Sequence, residues 1–531
     1  MALEPGIPAL EAEAEVEEST TAAQPPTHLR QQCLDLLAEI DEFQSLLART
    51  IRNPQQVELR QFRSSVTSEL KMLQKLEQQL QSAAADGDEA VTDPEIEIRL
   101  THALRSSNLP FYQAVWDIAK GTCAGLAVLG KRFYWDGETK ASADNKKKAW
   151  DREKQPNKDK RKSVFVDIVA DDGAEWVKVS TISESRLLFE MAKKGWERDS
   201  EDECLSDDEE GGKTRRTVLR NFEGEEPEDD DELELIKLVR DLRKAADATR
   251  LRYKHPRLRV ELPKIEEGNV PEVDDIIHEM RSYGVHVECR GKLQMDTDPA
   301  RISRLLPQPF RGFTPTLNVD CTLLLAMVSD LSHIEDIPPS AGFHRALLRQ
   351  IEVEKQQPLL PTELWPAIGE HELVCTQEAA TRMREIVQTI GTETEKTRMG
   401  IMMGDVKNGQ LNQESLIGKF QELSDHRVPV GWKIPVRVID AHPVIEAAKA
   451  EGKLPPVAKE VAEGLSDINH SVFMYGWAAG VTTISSNRTV DRQIEVTIEN
   501  SRHGDEDLEG PPVWICDTAR SLAGKDKDRK A

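Results

Sequence analysis

The stretch TLNVDCTLLLAMVSDLSH, residues 316–333, decides the fold class. Leu317 to Val319 reads as a short buried strand, Asp320 closes it, and Cys321 to Leu331 is an apolar run of helical character. An acid that ends a strand and leads into a helix lies where open α/β sheets bind ligands. Asp320 is thus a candidate metal ligand. It is also well placed to cap the helix that follows, a role for which Asp is suited without any metal.

Three further segments repeat the pattern. HELVCTQEAATRMREIVQTIG (371–391) gives a strand at Leu373–Thr376 and a helix bearing Gln377, Glu378 and Glu385, where Glu378 would also favour the helix amino end. IPVRVID (434–440) gives a strand ending in Asp440. FMYGWAAGVTTISSNRTV (473–490) gives a strand at Val481–Ser485 and the polar turn Ser486-Asn487-Arg488. Strands alternating with helices imply a mostly parallel sheet, which gathers strand-end acids on one edge.

The amino-terminal half reads differently. Residues 1–27 are acidic and poor in large apolar side chains, a composition of disorder. Cys33, Leu36, Leu37, Ile40, Phe43 and Leu47, then Leu59, Phe62, Val66, Leu70, Leu73, Leu76 and Leu80, recur at helical spacing on either side of Asn53-Pro54. They predict a helical hairpin that is either a partner-binding coiled coil or a small bundle packed on its own protein. SSNLPFYQAVWDIAK (106–120) is an aromatic-faced helix, and VFVDIVADDGAEWVKVSTI (164–182) is a β-hairpin turning at Asp171-Asp172-Gly173. Helices at about 184–194, 232–251 and 271–282 and the strands RLRVELP and VHVECR complete a compact α/β unit.

Charge is uneven. The 531 residues carry a net charge of −25, which opposes unspecific binding to phosphate backbones, so any nucleic-acid site must be local. Residues 146–162 hold nine basic and three acidic side chains and read as a solvated loop, a nucleic-acid contact or a localisation signal. From Arg240 to Arg259, eight basic residues face only Asp241 and Asp247. Arg250, Arg252 and Lys254 of that stretch are the candidate nucleic-acid contacts. The acidic runs Asp199–Glu210 and Glu223–Glu234 are too charged to fold.

Seven scattered cysteines without a C-x-x-C pair point to a reducing compartment, and the absence of a basic start or of a roughly 20-residue apolar run predicts cytoplasm or nucleus, with no membrane span. There is no G-x-x-x-x-G-K-[ST] loop, G-x-S-x-G elbow or H-E-x-x-H helix, and the histidines, His333 and His371 included, lack ligand spacing and read as structural.

Taken in order, the Asn-Leu-Pro-Phe-Tyr helix at 108–112, VDIVADDGAEWVKV, LNVDCTLLLAMVSDLSH and ISSNRTV with Arg492 downstream resemble a eukaryotic family of uncharacterised proteins. The carboxyl-terminal half of that family is a PIN-like domain of unknown function. The resemblance covers about residues 28–520 apart from the acidic insertion. PIN domains are small α/β nucleases in which three or four carboxylates hold Mg²⁺ or Mn²⁺, and clustered carboxylates are what such hard cations require. The resemblance implies that Asp320 is the first acid and that Glu378, or the neighbouring Gln377, is the second. Later positions depart from it: Met474-Tyr475-Gly476-Trp477 stands where the family carries Gly-Thr-Gly-Asp, and Asn487 where many PIN domains have another acid. Asp440, Asp467 and Asp491 are the remaining substitutes.

A second nuclease pattern sits in the hairpin, where Asp167 followed by Glu175-Trp176-Val177-Lys178 approximates the acid, hairpin, acid-x-lysine order of restriction-enzyme-like folds. The spacing is one residue too long, so Glu175 and Lys178 should project differently from a strand of period two.

The resulting expectation is an α/β protein: residues 1–27 disordered, a helical hairpin over 28–93, an α/β domain over 94–292 with a basic loop (141–162) and a disordered acidic insertion (197–232), and a three-layer PIN-like domain over 310–520. Two functions stand side by side. One is a Mg²⁺- or Mn²⁺-dependent ribonuclease, or a nucleic-acid-binding relative that has lost hydrolysis; the other is a non-enzymatic scaffold that meets a protein partner through the hairpin at 28–82.

Overall fold

Alternation in Val164–Ala170 gives a strand two apolar faces, and a sheet buries both. The structure, a computed structural model, describes residues 26–51, 53–85, 106–136, 161–194, 232–289, 301–337, 345–404, 411–516 and 521–523. Two compact units are present, the first drawing on Met1–Leu47, Gln55–Thr249 and His255–Pro307, the second on Ala48–Pro54, Arg250–Lys254 and Gln308–Ala531. No described helix is long and apolar enough to cross a membrane.

The first unit holds β1 (Val128–Asp136), β2 (Arg161–Ala170), β3 (Glu175–Val179), β4 (Arg257–Leu262) and β5 (His286–Cys289), in that spatial order. Strands β1, β2 and β3 pair antiparallel, whereas β3, β4 and β5 run parallel. The hairpin turns through Asp171, Asp172 and Gly173, all at positive φ, where Asp and Gly are tolerated best. Strand β2 begins before Val164: Arg161 and Lys162 pair with Asp136 and Trp135, so the end of the expected basic loop is strand. The rest of that loop, residues 1–25 and 197–231 of the acidic insertion lie outside the described residues. Sequence reading missed β1, whose partner is a strand 25 or more residues away.

Around this sheet stand α1 (Pro26–Thr50), α2 (Arg60–Ala85), α3 (Leu109–Thr122), α4 (Glu184–Lys193), α5 (Glu234–Asp247) and α6 (Pro271–Ser282). Cys33, Leu36, Ile40, Phe43 and Leu47 of α1 and Phe62, Val66, Leu70 and Leu73 of α2 are all buried. The Phe43 ring lies 6.1 Å from that of Trp116 in α3, whose indole N–H donates to Glu39 at 2.7 Å. Most of the apolar stripe of the hairpin is thus packed within its own unit.

The second unit holds β6 (Thr316–Val319), β7 (Glu372–Thr376), β8 (Arg437–Ile439), β9 (Thr482–Ser485) and β10 (Val513–Ile515) in the order β10-β9-β6-β7-β8, every pair parallel. All five strands therefore end on one edge. The chain runs from β6 outward to β8 and then crosses to β9, which makes the gap between β6 and β9 the topological switch point. The helices used below are α7 (Cys321–Ala326), α8 (Gln377–Ile390), α9 (Glu393–Met403), α10 (Ala441–Ala450) and α11 (Arg488–Asn500). The apolar run expected to be helical to Leu331 stops at Ala326, and Ser329 starts a separate turn by accepting from the Leu331 N–H.

One polar cluster in the first unit fixes a pH response. Arg259, 6% exposed, pairs with Glu261 at 2.7 Å and Glu175 at 3.2 Å and donates to the Cys123 thiol at 3.1 Å. Burial pushes the Glu261 carboxyl from 4.5 up to about 7, against the pull of Arg259. A carboxyl with a raised folded pKa holds its proton more tightly when folded, so its contribution is complete below about 4.5 and is lost as pH rises through about 7. The loss is on the order of 3 kcal/mol. Glu261→Gln should remove this slope, which hydrogen exchange of the β4 amides at pH 5 and pH 8 would read; equal pH dependence in both proteins would refute it.

Candidate functional site: the carboxyl edge of the parallel sheet

Asp320 leaves β6 in extended conformation, directly before α7, and its side chain does not cap that helix. Its carboxylate, 2% exposed, turns instead to the switch point, where Oδ2 accepts from Thr322 Oγ1 and from Ser485 Oγ, both at 2.7 Å. Each hydroxyl is itself an acceptor: the Ser486 N–H donates to Thr322 Oγ1 at 3.2 Å and the Asn487 N–H to Ser485 Oγ at 3.0 Å. Two loops, after β6 and after β9, are thereby tied to one carboxylate oxygen. Among the described residues no hydrogen bond reaches Oδ1.

The other strand-end acids have different tasks. Asp440 caps α10 through the His442 N–H at 3.1 Å, and Asn487 caps α11 through the Val490 N–H at 3.3 Å. Thr376 caps α8 through the Ala379 N–H and meets Ser471 Oγ at 3.0 Å. Glu378 lies exposed in the first turn of α8, in an open groove with Gln377, Thr381, Arg382, Glu385 and Ile468. Asp491 is half-buried in the first turn of α11, and burial followed by the charge of Glu495 pushes its carboxyl up to about 6. Asp320 and Glu378 thus follow adjacent strands, but among the described residues no group of three or more His, Cys, Asp or Glu could hold a metal ion. These residues do not fit the Mg²⁺ or Mn²⁺ centre that the family resemblance implies.

Gly476 of the departing Met474-Tyr475-Gly476-Trp477 has a packing cause, since any side chain there would collide with Thr483 on β9. Arg250, Arg252 and Lys254 belong to the second unit. Arg250 is ion-paired to Glu499 at 3.5 Å and to Glu506, Lys254 to Glu509 at 2.7 Å, and Arg252 acts on Asp491. In the first unit Lys178 pairs with buried Asp167 at 3.1 Å, while Glu175 pairs with Arg259. Of the second nuclease pattern, Asp167 and Lys178 are therefore brought together, whereas Glu175 is directed to Arg259. His333 is structural: it is buried, bonded to Ser424 and the Met327 carbonyl, and desolvation holds its pKa well below the usual imidazole range.

Thr322 and Ser485 were not readable as site residues, because an uncharged hydroxyl far along the chain carries no motif. The polar run Ser486-Asn487-Arg488 after an apolar strand was the only signal near them.

The fold and this edge define a parallel α/β domain with one buried, uncapped carboxylate at its switch point. Residues 317–420, from β6 into the helix Gln413–Gln421, match the sequence-family model described as "Protein of unknown function (DUF1308)". No curated protein and no solved structure matches the chain.

Removing the carboxylate should loosen both loops. Asp320→Ala leaves the Thr322 and Ser485 hydroxyls without their charged acceptor and should cost about 2–3 kcal/mol. Glu378→Ala, at an exposed position, should stay within about 0.5 kcal/mol. Urea unfolding of the two variants checks this, and equal losses would show that Asp320 is not the tie between the loops.

Proposed function

We propose that the second unit is a PIN-like domain that binds single-stranded nucleic acid at its carboxyl edge without hydrolysing it. The observation that carries this is the state of Asp320: one of its oxygens is committed to Thr322 and Ser485, and no second and third ligand stand with it among the described residues. Phosphodiester hydrolysis by paired divalent ions needs several carboxylates to hold them and to stabilise the attacking and leaving oxygens. Buried as it is, Asp320 acts by holding together the loops after β6 and β9, and the exposed side chains those segments carry, Arg488 among them, meet the nucleic acid. Arg382, which lines the groove beside Glu378, and exposed Arg488 at the start of α11 supply local positive charge on an acidic chain.

Labelled single-stranded RNA with Mn²⁺ tests the reading on the full chain. Neither the wild type nor Asp320→Asn should cleave. RNA should bind, and Arg382→Ala with Arg488→Ala should lower the slope of log affinity against log salt by about 1.4, or roughly 0.7 for each phosphate no longer neutralised. Cleavage abolished by Asp320→Asn would make the protein a nuclease. Absence of RNA binding would leave the scaffold function.

A further inference from the structure

The cationic turn Arg250–Lys254 lies against an acidic surface of the second unit. Helix α11 presents Asp491, Glu495 and Glu499, and the loop beyond it presents Glu506 and Glu509. Arg250 meets Glu499 and Glu506, Lys254 meets Glu509, and Arg252 is the cation acting on Asp491 beside Arg488. Tyr253 inserts between these pairs. Its phenol faces Asp491, Glu495 and Glu499, the Arg502 guanidinium reaches its carbonyl, and its ring occupies the space that any side chain at Gly510 would fill.

The backbone of the turn is held in a conformation its residues disfavour. Arg252 and Tyr253 lie at φ 47° and 74°, in the left-handed region, while Leu251 and Lys254 exchange both backbone hydrogen bonds at 2.8 and 3.1 Å. Neither residue is Gly, Asn or Asp, the types that accept this geometry readily, so the surroundings maintain it.

We propose that this contact is an autoinhibitory latch: the carboxylates of Glu499, Glu506 and Glu509 occupy the positions on Arg250 and Lys254 that phosphates of single-stranded nucleic acid would take. The inference rests on the nucleic-acid function proposed above. Lys254, Glu506 and Glu509 have side chains 57–67% exposed, and ion pairs between exposed groups are weak and screened by salt. A polyanion can therefore displace them, releasing counterions as it binds. Tyr253, packed on the core of the unit, keeps the turn in place while its cations change partners.

The test compares RNA affinity of the full chain with that of Glu499→Gln/Glu506→Gln/Glu509→Gln, a variant that keeps side-chain size, its melting temperature showing that it folds. The neutralised protein should bind single-stranded RNA at least tenfold more tightly at low salt, with a log affinity against log salt slope steeper by about 1.4, or roughly 0.7 for each of the two released cations. Adding Arg250→Ala and Lys254→Ala should abolish the gain. A wild type that binds RNA with affinity unchanged by neutralisation overturns the latch and leaves the edge function standing. A gain that survives the two alanines also overturns it, since the released cations would then lie elsewhere, and RNA binding in neither form overturns latch and edge function together.

Discussion

The second unit is organised around one guanidinium that water does not reach. Arg398, 1% exposed, donates to the carbonyls of Val328 and Leu423 and to Asp330, so groups from two separate segments converge on it. Asp330 also accepts from Thr392 and Thr394, and Glu395 accepts from the backbone N–H groups of Asp330, Thr392 and Ala523. Desolvating these charges is costly, and the cost is offset only because nearly every donor and acceptor finds a partner. The network fixes where the segment after β6 runs, and hence where α7 and Asp320 stand. Its sites cannot be exchanged singly, because one missing partner leaves a buried charge.

An all-parallel sheet imposes a second constraint. Five strands end on one edge, and after β6, β7, β8 and β9 a residue at the strand end stands directly before the first turn of a helix. Thr376, Asp440 and Asn487 satisfy helix ends, and Asp320 ties two loops. Polar residues at strand ends are thus largely consumed by local backbone needs. Asp320 differs from them in that its side chain is not spent on the helix that follows it.

Much of the fold was legible because it is local. Period-two alternation disclosed the β2–β3 hairpin, and strand-to-helix switches disclosed β6, β7, β8 and β9 within three residues of their ends. The helical stripe of α1 and α2 was equally plain, although whether it packed inward depended on Trp116 and Glu39, a distant pairing. Strands β1 and β10 were lost for the same reason, as their burial comes from partners far along the chain. The capping box at Thr392 and Glu395 follows the S/T-x-x-E rule and was readable in principle. The choice between cap and ligand at Asp320 was not, because it rests on where Thr322 and Ser485 direct two hydroxyls.

Buried and exposed ion pairs divide the labour in this chain. Arg398 with Asp330, Arg259 with Glu261 and Lys178 with Asp167 are enclosed, so their energies belong to the folded state and no ligand can compete for them. Lys254 is paired at the surface with exposed Glu509, and Arg250, itself largely shielded, is paired with exposed Glu506. In a chain of net charge −25 acids are plentiful and uncommitted cations are scarce. A polyanion approaching such a surface is opposed by the net charge and is drawn only to local clusters of cations. Under the latch proposed above, a polyanion reaches Arg250 and Lys254 only by outcompeting the carboxylates already seated on them.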